Sequence, residues 1–115
     1  MSEPFVGEVR YFGCNFAPEG WAFCDGAILS IEENQMLFAL IGTQYGGDGQ
    51  RTFAVPDLRG SVAMHQGTGV DLPARAIGGQ STLQSAPDQG DSNRAMGTLV
   101  LNACIALYGI FPDRE

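Results

Sequence analysis

Lysine is absent from this 115-residue chain: all six basic side chains are arginines (Arg10, Arg51, Arg59, Arg75, Arg94 and Arg114). A P-loop lysine, a Schiff-base lysine and a kinase-type lysine are therefore excluded. Against 13 acidic residues the scattered arginines leave a formal net charge of −7. Phosphate binding depends on clustered positive charge and counterion release, so no nucleic-acid partner is expected. Histidine is represented by His65 alone. No run approaches the ~18 apolar residues of a membrane span, so no membrane insertion is expected. Met1 to Phe12 has neither the basic n-region nor the apolar h-region of a secretory signal, and synthesis in the cytoplasm without a Sec signal is the expectation.

Cysteine is also scarce. Cys14, Cys24 and Cys104 make an odd set, which excludes a complete intramolecular disulfide framework. One bridge with a leftover thiol and three free, buried cysteines both stay open, since free Cys behaves as a small apolar residue. The chain has no CxxC pair to suggest zinc.

Glycine and apolar residues are plentiful. Sixteen glycines are about twice the usual share of roughly 7%, so the chain is dense in tight turns. Disordered chains lack hydrophobic residues, and this one is 44% hydrophobic. Its length suits a single domain over 1–115 with one core.

Residues 5–12 place Phe5, Val9 and Tyr11 on one parity and Glu8 and Arg10 on the other, the pattern of a half-buried strand. Ala22 to Cys24 reads as a second short strand ending at the Asp25-Gly26 turn. Ser30-Ile31-Glu32-Glu33 has the form of a capping box, and Leu37, Leu40 and Ile41 share one helical face before Gly42. A helix over about 31–41 follows. Tyr45-Gly46-Gly47-Asp48-Gly49 is a turn leading into an extended Thr52 to Val55, and Ser61 to His65 alternates as a further strand. Residues 66–97 are rich in Gly, Pro, Ser and Gln, a variable loop segment within the domain; such long loops are usually functional or mobile. Leu99, Leu101, Ala103, Ile105 and Leu107 alternate strictly, which fits a strand over about 98–108, with a buried helix as the alternative. The fold class is α+β: small, loop-rich and mostly β, with one main helix.

Few residues suggest chemistry. A lone His on a strand is more often hydrogen-bonded structure than a ligand, although His65 from several chains meeting on an axis would make a metal site. The glycine loop at 46–49 lacks GK[ST], GxGxxG and a carboxylate run, so it reads as a turn rather than a phosphate or calcium cradle. Ser61, His65 and Asp57 have the residue types of a hydrolase triad, but no GxSxG surrounds any serine. Asp25, Asp48 and Asp57 sit beside or near turn glycines, where an Asp side chain commonly caps backbone N–H groups. Arg51, Asp57 and Arg59 bracket the segment 53–58, and an ion pair fixing that turn is the structural reading. No enzyme activity, cofactor or bound metal is expected.

In order along the chain stand Glu3-Pro4-Phe5-Val6-Gly7-Glu8-Val9, Asn15-Phe16-Ala17-Pro18-Glu19-Gly20-Trp21, Cys24-Asp25-Gly26, Leu37 to Thr43, Tyr45-Gly46-Gly47-Asp48-Gly49, Thr52-Phe53-Ala54-Val55-Pro56-Asp57-Leu58-Arg59-Gly60 and Ala106 to Pro112. This series, over roughly 3–69 and 98–114, resembles the phage tail collar domain family, including bacterial members called microcystin-dependent proteins. The resemblance implies a non-enzymatic structural role in tail fibres or related assemblies, located in a virion tail or an extracellular appendage. Homotrimers are typical of the family, and the variable part contacts a host surface. Its structural core and motif residues transfer to Trp21, Cys24, Asp25, Gly26, Phe38, Tyr45, Gly46, Gly47, Asp48, Phe53, Pro56, Asp57, Arg59, Phe111 and Pro112. The chain departs from the family in carrying only about thirty residues where a longer insert with histidine motifs and, in some members, zinc ligands is common. Cys14 also stands where Gly is usual. The resemblance thus describes a shortened member.

The expected partners are other copies of the chain, as a trimer or filament, and a host-surface glycan or receptor. The surface-recognition or assembly segment would use Leu72, Arg75, Gln80, Gln84, Asp88 and Asn93, with Trp21, Phe53 and the strand after Thr98 in the core. The alternatives are a carbohydrate- or receptor-binding module, with Tyr45 or Tyr108 offering a flat ring to a sugar, and a bacterial surface-filament subunit whose Phe5 to Phe12 strand adds to a neighbour's sheet.

Overall fold

The computed structural model describes residues 3–68, 74–80 and 97–114. Among the described residues, five strands and a helix run in the order β1 (Val9–Phe12), β2 (Trp21–Phe23), β3 (Ile28–Ser30), α1 (Gln35–Ile41), β4 (Thr52–Ala54) and β5 (Asn102–Ala106). β5 lies between β1 and β2 in one antiparallel sheet, and β3 pairs with β4 in a second. This is the small, loop-rich, mostly β architecture with one short helix that the α+β reading expects.

The core lies between these elements. Val6, Cys24, Leu37, Phe53, Val55 and Ile105 form one buried cluster, and Phe38, Leu40, Ile41, Ala22 and Ala103 pack against it. As the central strand, β5 is flanked on both sides, and Cys104, Ile105 and Ala106 are all buried whichever face they point to. The strand expected over about 98–108 is present, in place of the alternative helix, but it is shorter, Asn102–Ala106, and Leu99 is 83% exposed.

The N-terminal strand starts late because of a bulge. Gly7 N–H donates to the Ala106 carbonyl at 2.9 Å while Ala106 N–H donates to the Glu8 carbonyl at 2.9 Å, so two residues face one. Gly7 has φ +84°, a conformation open to glycine and strained for other residues. The extra residue breaks the period of two between Phe5 and Val9, so Val6 is buried and Phe5 51% exposed; Val9 and Tyr11, also expected to be half-buried, pair with Ile105 and Ala103 but stand on the outer strand, 43 and 50% exposed.

The helix is shorter than the expected 31–41. Ser30 is the last residue of β3, opposite Thr52, and Ile31 N–H donates to the Arg51 carbonyl, so Ser30 cannot open a helix. A turn intervenes, in which Asn34 Nδ2 donates to the Ser30 carbonyl at 3.1 Å, and α1 begins at Gln35. Gly42 ends it, with its N–H on the Phe38 carbonyl. Ser61 to His65 is not a strand: the segment is exposed, with Val62 and Met64 turned to solvent, and no described strand pairs with it.

Candidate functional site

The turn motifs that are far apart in the sequence meet in one frame at the edge of the β3–β4 sheet. Gly26 N–H donates to the Pro56 carbonyl, Leu58 N–H to the Cys24 carbonyl and Val55 N–H to the Ala27 carbonyl, so Cys24-Asp25-Gly26 is laced to residues 55–58. A backbone bridge joins Asp25 to Asp57. From the other side Ala54 N–H donates to the Gly46 carbonyl, and Gly49 N–H to the Thr52 carbonyl. Gly47, with φ +95°, lies so close on the β4 backbone that a Cβ would overlap Phe53 Cα.

Three carboxylates hold this frame. Asp48 Oδ1 accepts backbone N–H groups from Gln50, Arg51 and Thr52 at 2.9, 2.9 and 3.0 Å. These donors, led by Arg51 N–H, hold its carboxyl well below the ordinary range. Asp57 accepts two bonds from the Arg59 guanidinium, both 2.9 Å, which lower its pKa; Oδ1 also takes Arg59 N–H. Asp25 Oδ1 accepts Ala27 N–H at 3.1 Å. All three carboxylates are thus engaged in fixing loops. The expected pair between Asp57 and Arg59 is present, while Arg51 enters through its backbone N–H.

Beneath the frame, Phe38 of α1 meets Phe53 edge-on with centroids 5.4 Å apart. Tyr45 is half-buried, and burial pushes its phenol pKa up. Burial, reinforced by Cys104, pushes the Cys24 thiol up to about 12. Cys14, Cys24 and Cys104 are all free.

Two motif residues lie elsewhere than expected. Trp21 is half-buried, not in the central cluster: it follows the register of Cys104 on the far face of the sheet, meeting Phe12 edge-on at 5.0 Å beneath the Arg10 guanidinium. Phe111 is 43% exposed, beside half-buried Pro112, just after the bridge between Phe5 and Ile110.

Of the segment 66–97, Arg75 and Gln80 are described, whereas Leu72, Gln84, Asp88 and Asn93 lie outside the described residues. Gly67 and Arg75 exchange backbone hydrogen bonds of 2.7 and 2.8 Å, and Gly78 closes onto the Gln44 carbonyl. This part of the segment therefore rests beside the Tyr45 turn. Tyr108 stands apart from it, 55% exposed, beside an open cleft of about 260 Å³ lined by Glu32 to Met36 and Leu107. His65 Nδ1 is 2.8 Å from the Gln66 carbonyl, so neither Asp57 nor His65 is arranged as a triad member. Among the described residues no three His, Cys, Asp or Glu side chains are gathered for a metal ion.

The residue that sequence reasoning missed is Val6, buried at the start of the chain; its signal was Gly7, a glycine within a strand pattern that marks a bulge. In comparison with family models, residues 7–63 match that of the phage tail collar domain. No curated protein matches the chain.

Proposed function

With a phage tail collar domain over residues 7–63 as the premise, we propose that the protein is a non-enzymatic structural component of a virion tail or a related extracellular appendage. It self-associates and uses the segment 66–97 for attachment to a cell-surface glycan or receptor. The observation that carries this reading is the match itself, which covers all three turn motifs of the laced frame. Their carboxylates are spent on backbone and arginine donors, which suits a rigid scaffold. Self-association is supported by the apolar groups left at the surface of the β1–β5–β2 sheet and its flanks, including Val9, Tyr11, Leu99 and Val100. Attachment is supported by half-buried Arg75 and exposed Gln80, in the part of the segment 66–97 where Gly78 lies against the Gln44 carbonyl beside the Tyr45 turn.

Electron microscopy of the purified full chain tests the assembly half of the proposal. Closed oligomers or filaments are expected, and a field of isolated small particles at high concentration contradicts it. Glycan-array binding tests attachment, where binding is expected to vanish when residues 81–96 are replaced by a short glycine-serine linker. Binding that survives the replacement removes the segment from the account.

A further inference from the structure

β1 is the outer strand of its sheet, and no described residue pairs with its free edge. The bulge determines which groups line that edge. The Glu8 carbonyl accepts the Ala106 N–H, so along the antiparallel ladder Arg10 and Phe12 turn their peptide groups toward β5, and Val9 and Tyr11 turn theirs outward. The outward N–H and C=O groups thus belong to two residues whose side chains are also half exposed, 43% for Val9 and 50% for Tyr11. Such an edge is a template for another strand.

We propose that this edge pairs antiparallel with β1 of a second copy of the chain, about a two-fold axis at Val9. The inference rests on the self-association reading above and assigns it a surface. Charge selects the register. Glu8 and Arg10 lie on one face of the strand and are paired with each other. Centred on Val9, the two copies exchange Val9 hydrogen bonds and set Glu8 of each opposite Arg10 of the other, so four charges alternate in sign. Centring on Arg10 places two guanidinium groups directly opposite, and centring on Tyr11 places Arg10 opposite Phe12. Like charges directly opposite destabilise a sheet and opposite charges stabilise it, so the Val9-centred pairing is favoured. In that register Tyr11 also covers Gly7 of the second copy. The two three-stranded sheets become one continuous sheet, with no open edge at β1.

Sedimentation velocity of the full chain and of two variants tests this. Glu8→Arg makes the edge wholly basic and Arg10→Glu makes it wholly acidic. Each variant alone is expected to dimerise about tenfold more weakly than the parent protein, and an equimolar mixture is expected to recover parental association. Neither variant keeps the Glu8–Arg10 pair within a chain, so recovery on mixing reports contact between copies. Variants that associate as the parent does, or a mixture as weak as its components, overturn the edge pairing and leave self-association at another surface intact. A parent protein that stays monomeric overturns both. Val9→Pro gives an independent route if a charge variant does not fold: its lost N–H faces outward, so the fold is retained and association is lost. Undiminished association of folded Val9→Pro is incompatible with the proposal.

Discussion

Asp48 and Thr52 clasp one another: Thr52 N–H donates to Asp48 Oδ1 at 3.0 Å, and Asp48 N–H donates to Thr52 Oγ1 at 3.2 Å. This reciprocal pair closes the glycine turn onto the start of β4, and it makes the frame sensitive to acid. The Asp48 pKa is lowered in the folded protein, as are those of Asp57 and Glu8. Their contribution is present above the unfolded carboxylate pKa of about 4 and is lost as pH falls below it. Urea midpoints are expected to drop between about pH 5 and pH 2, with a shallower fall in Asp48→Asn, which is less stable at neutral pH. A pH dependence unchanged by Asp48→Asn would remove this carboxylate from the account.

Gly47→Ala is expected to be among the most damaging single-methyl additions in the chain. The new Cβ meets backbone at Phe53 and Thr52 in a left-handed conformation, so no side-chain rotation relieves it. A loss of about 3 kcal/mol or more in urea unfolding is expected. Gly60→Ala is the control: its φ is also positive, but nothing lies within contact of the added Cβ, so the loss is about 1 kcal/mol. Equal losses at the two positions would mean that close packing at Gly47 contributes nothing.

Leu37 and Leu99 separate buried from exposed leucines. Leu37→Ala empties a fully buried site and is expected to cost about 2–5 kcal/mol, whereas Leu99→Ala at an 83% exposed position costs less than about 0.5 kcal/mol. Chemical denaturation checks both values. A large loss at Leu99 would place it in a contact that the isolated chain does not make.

The cysteines are expected to react in two classes. Cys14 is partly exposed, whereas Cys24 and Cys104 are buried with their thiol pKa values raised by burial. At pH 8 one thiol is alkylated rapidly in the native protein and the other two only on unfolding. Cys24 also gives a pH signature opposite to that of Asp48: its contribution is present below the unfolded thiol pKa of about 8.5 and is lost as pH rises toward about 12. Mass spectrometry after timed labelling identifies the sites, and rapid native modification of Cys24 contradicts its burial.

How far the structure could be read in advance depended on whether the determining contacts were local. The turns at Asp25-Gly26 and Tyr45 to Gly49, the helical face of Leu37, and the Asp57–Arg59 pair follow from residues a few positions apart, and the fold class was legible from them. Strand limits were not, because they depend on distant partners. Ser30 has the sequence of a helix cap but is held in β3 by Thr52, 22 positions away. Alternation found β5 but not its limits, since a central strand buries both faces. Phe5 misled in another way, because the Gly7 bulge shifts its parity against Val9 and Tyr11. Trp21 reads as a core anchor from its motif, yet its position is set by β2 pairing with β5, which presents it to Phe12 and Arg10.

The central claim is that the protein is a self-associating structural unit, and its molar mass in solution tests that most directly. Static light scattering of the full chain across the micromolar range is expected to give a mass that rises with concentration to a multiple of 12.2 kDa. A constant 12.2 kDa at every concentration, from protein shown to be folded, would contradict the account.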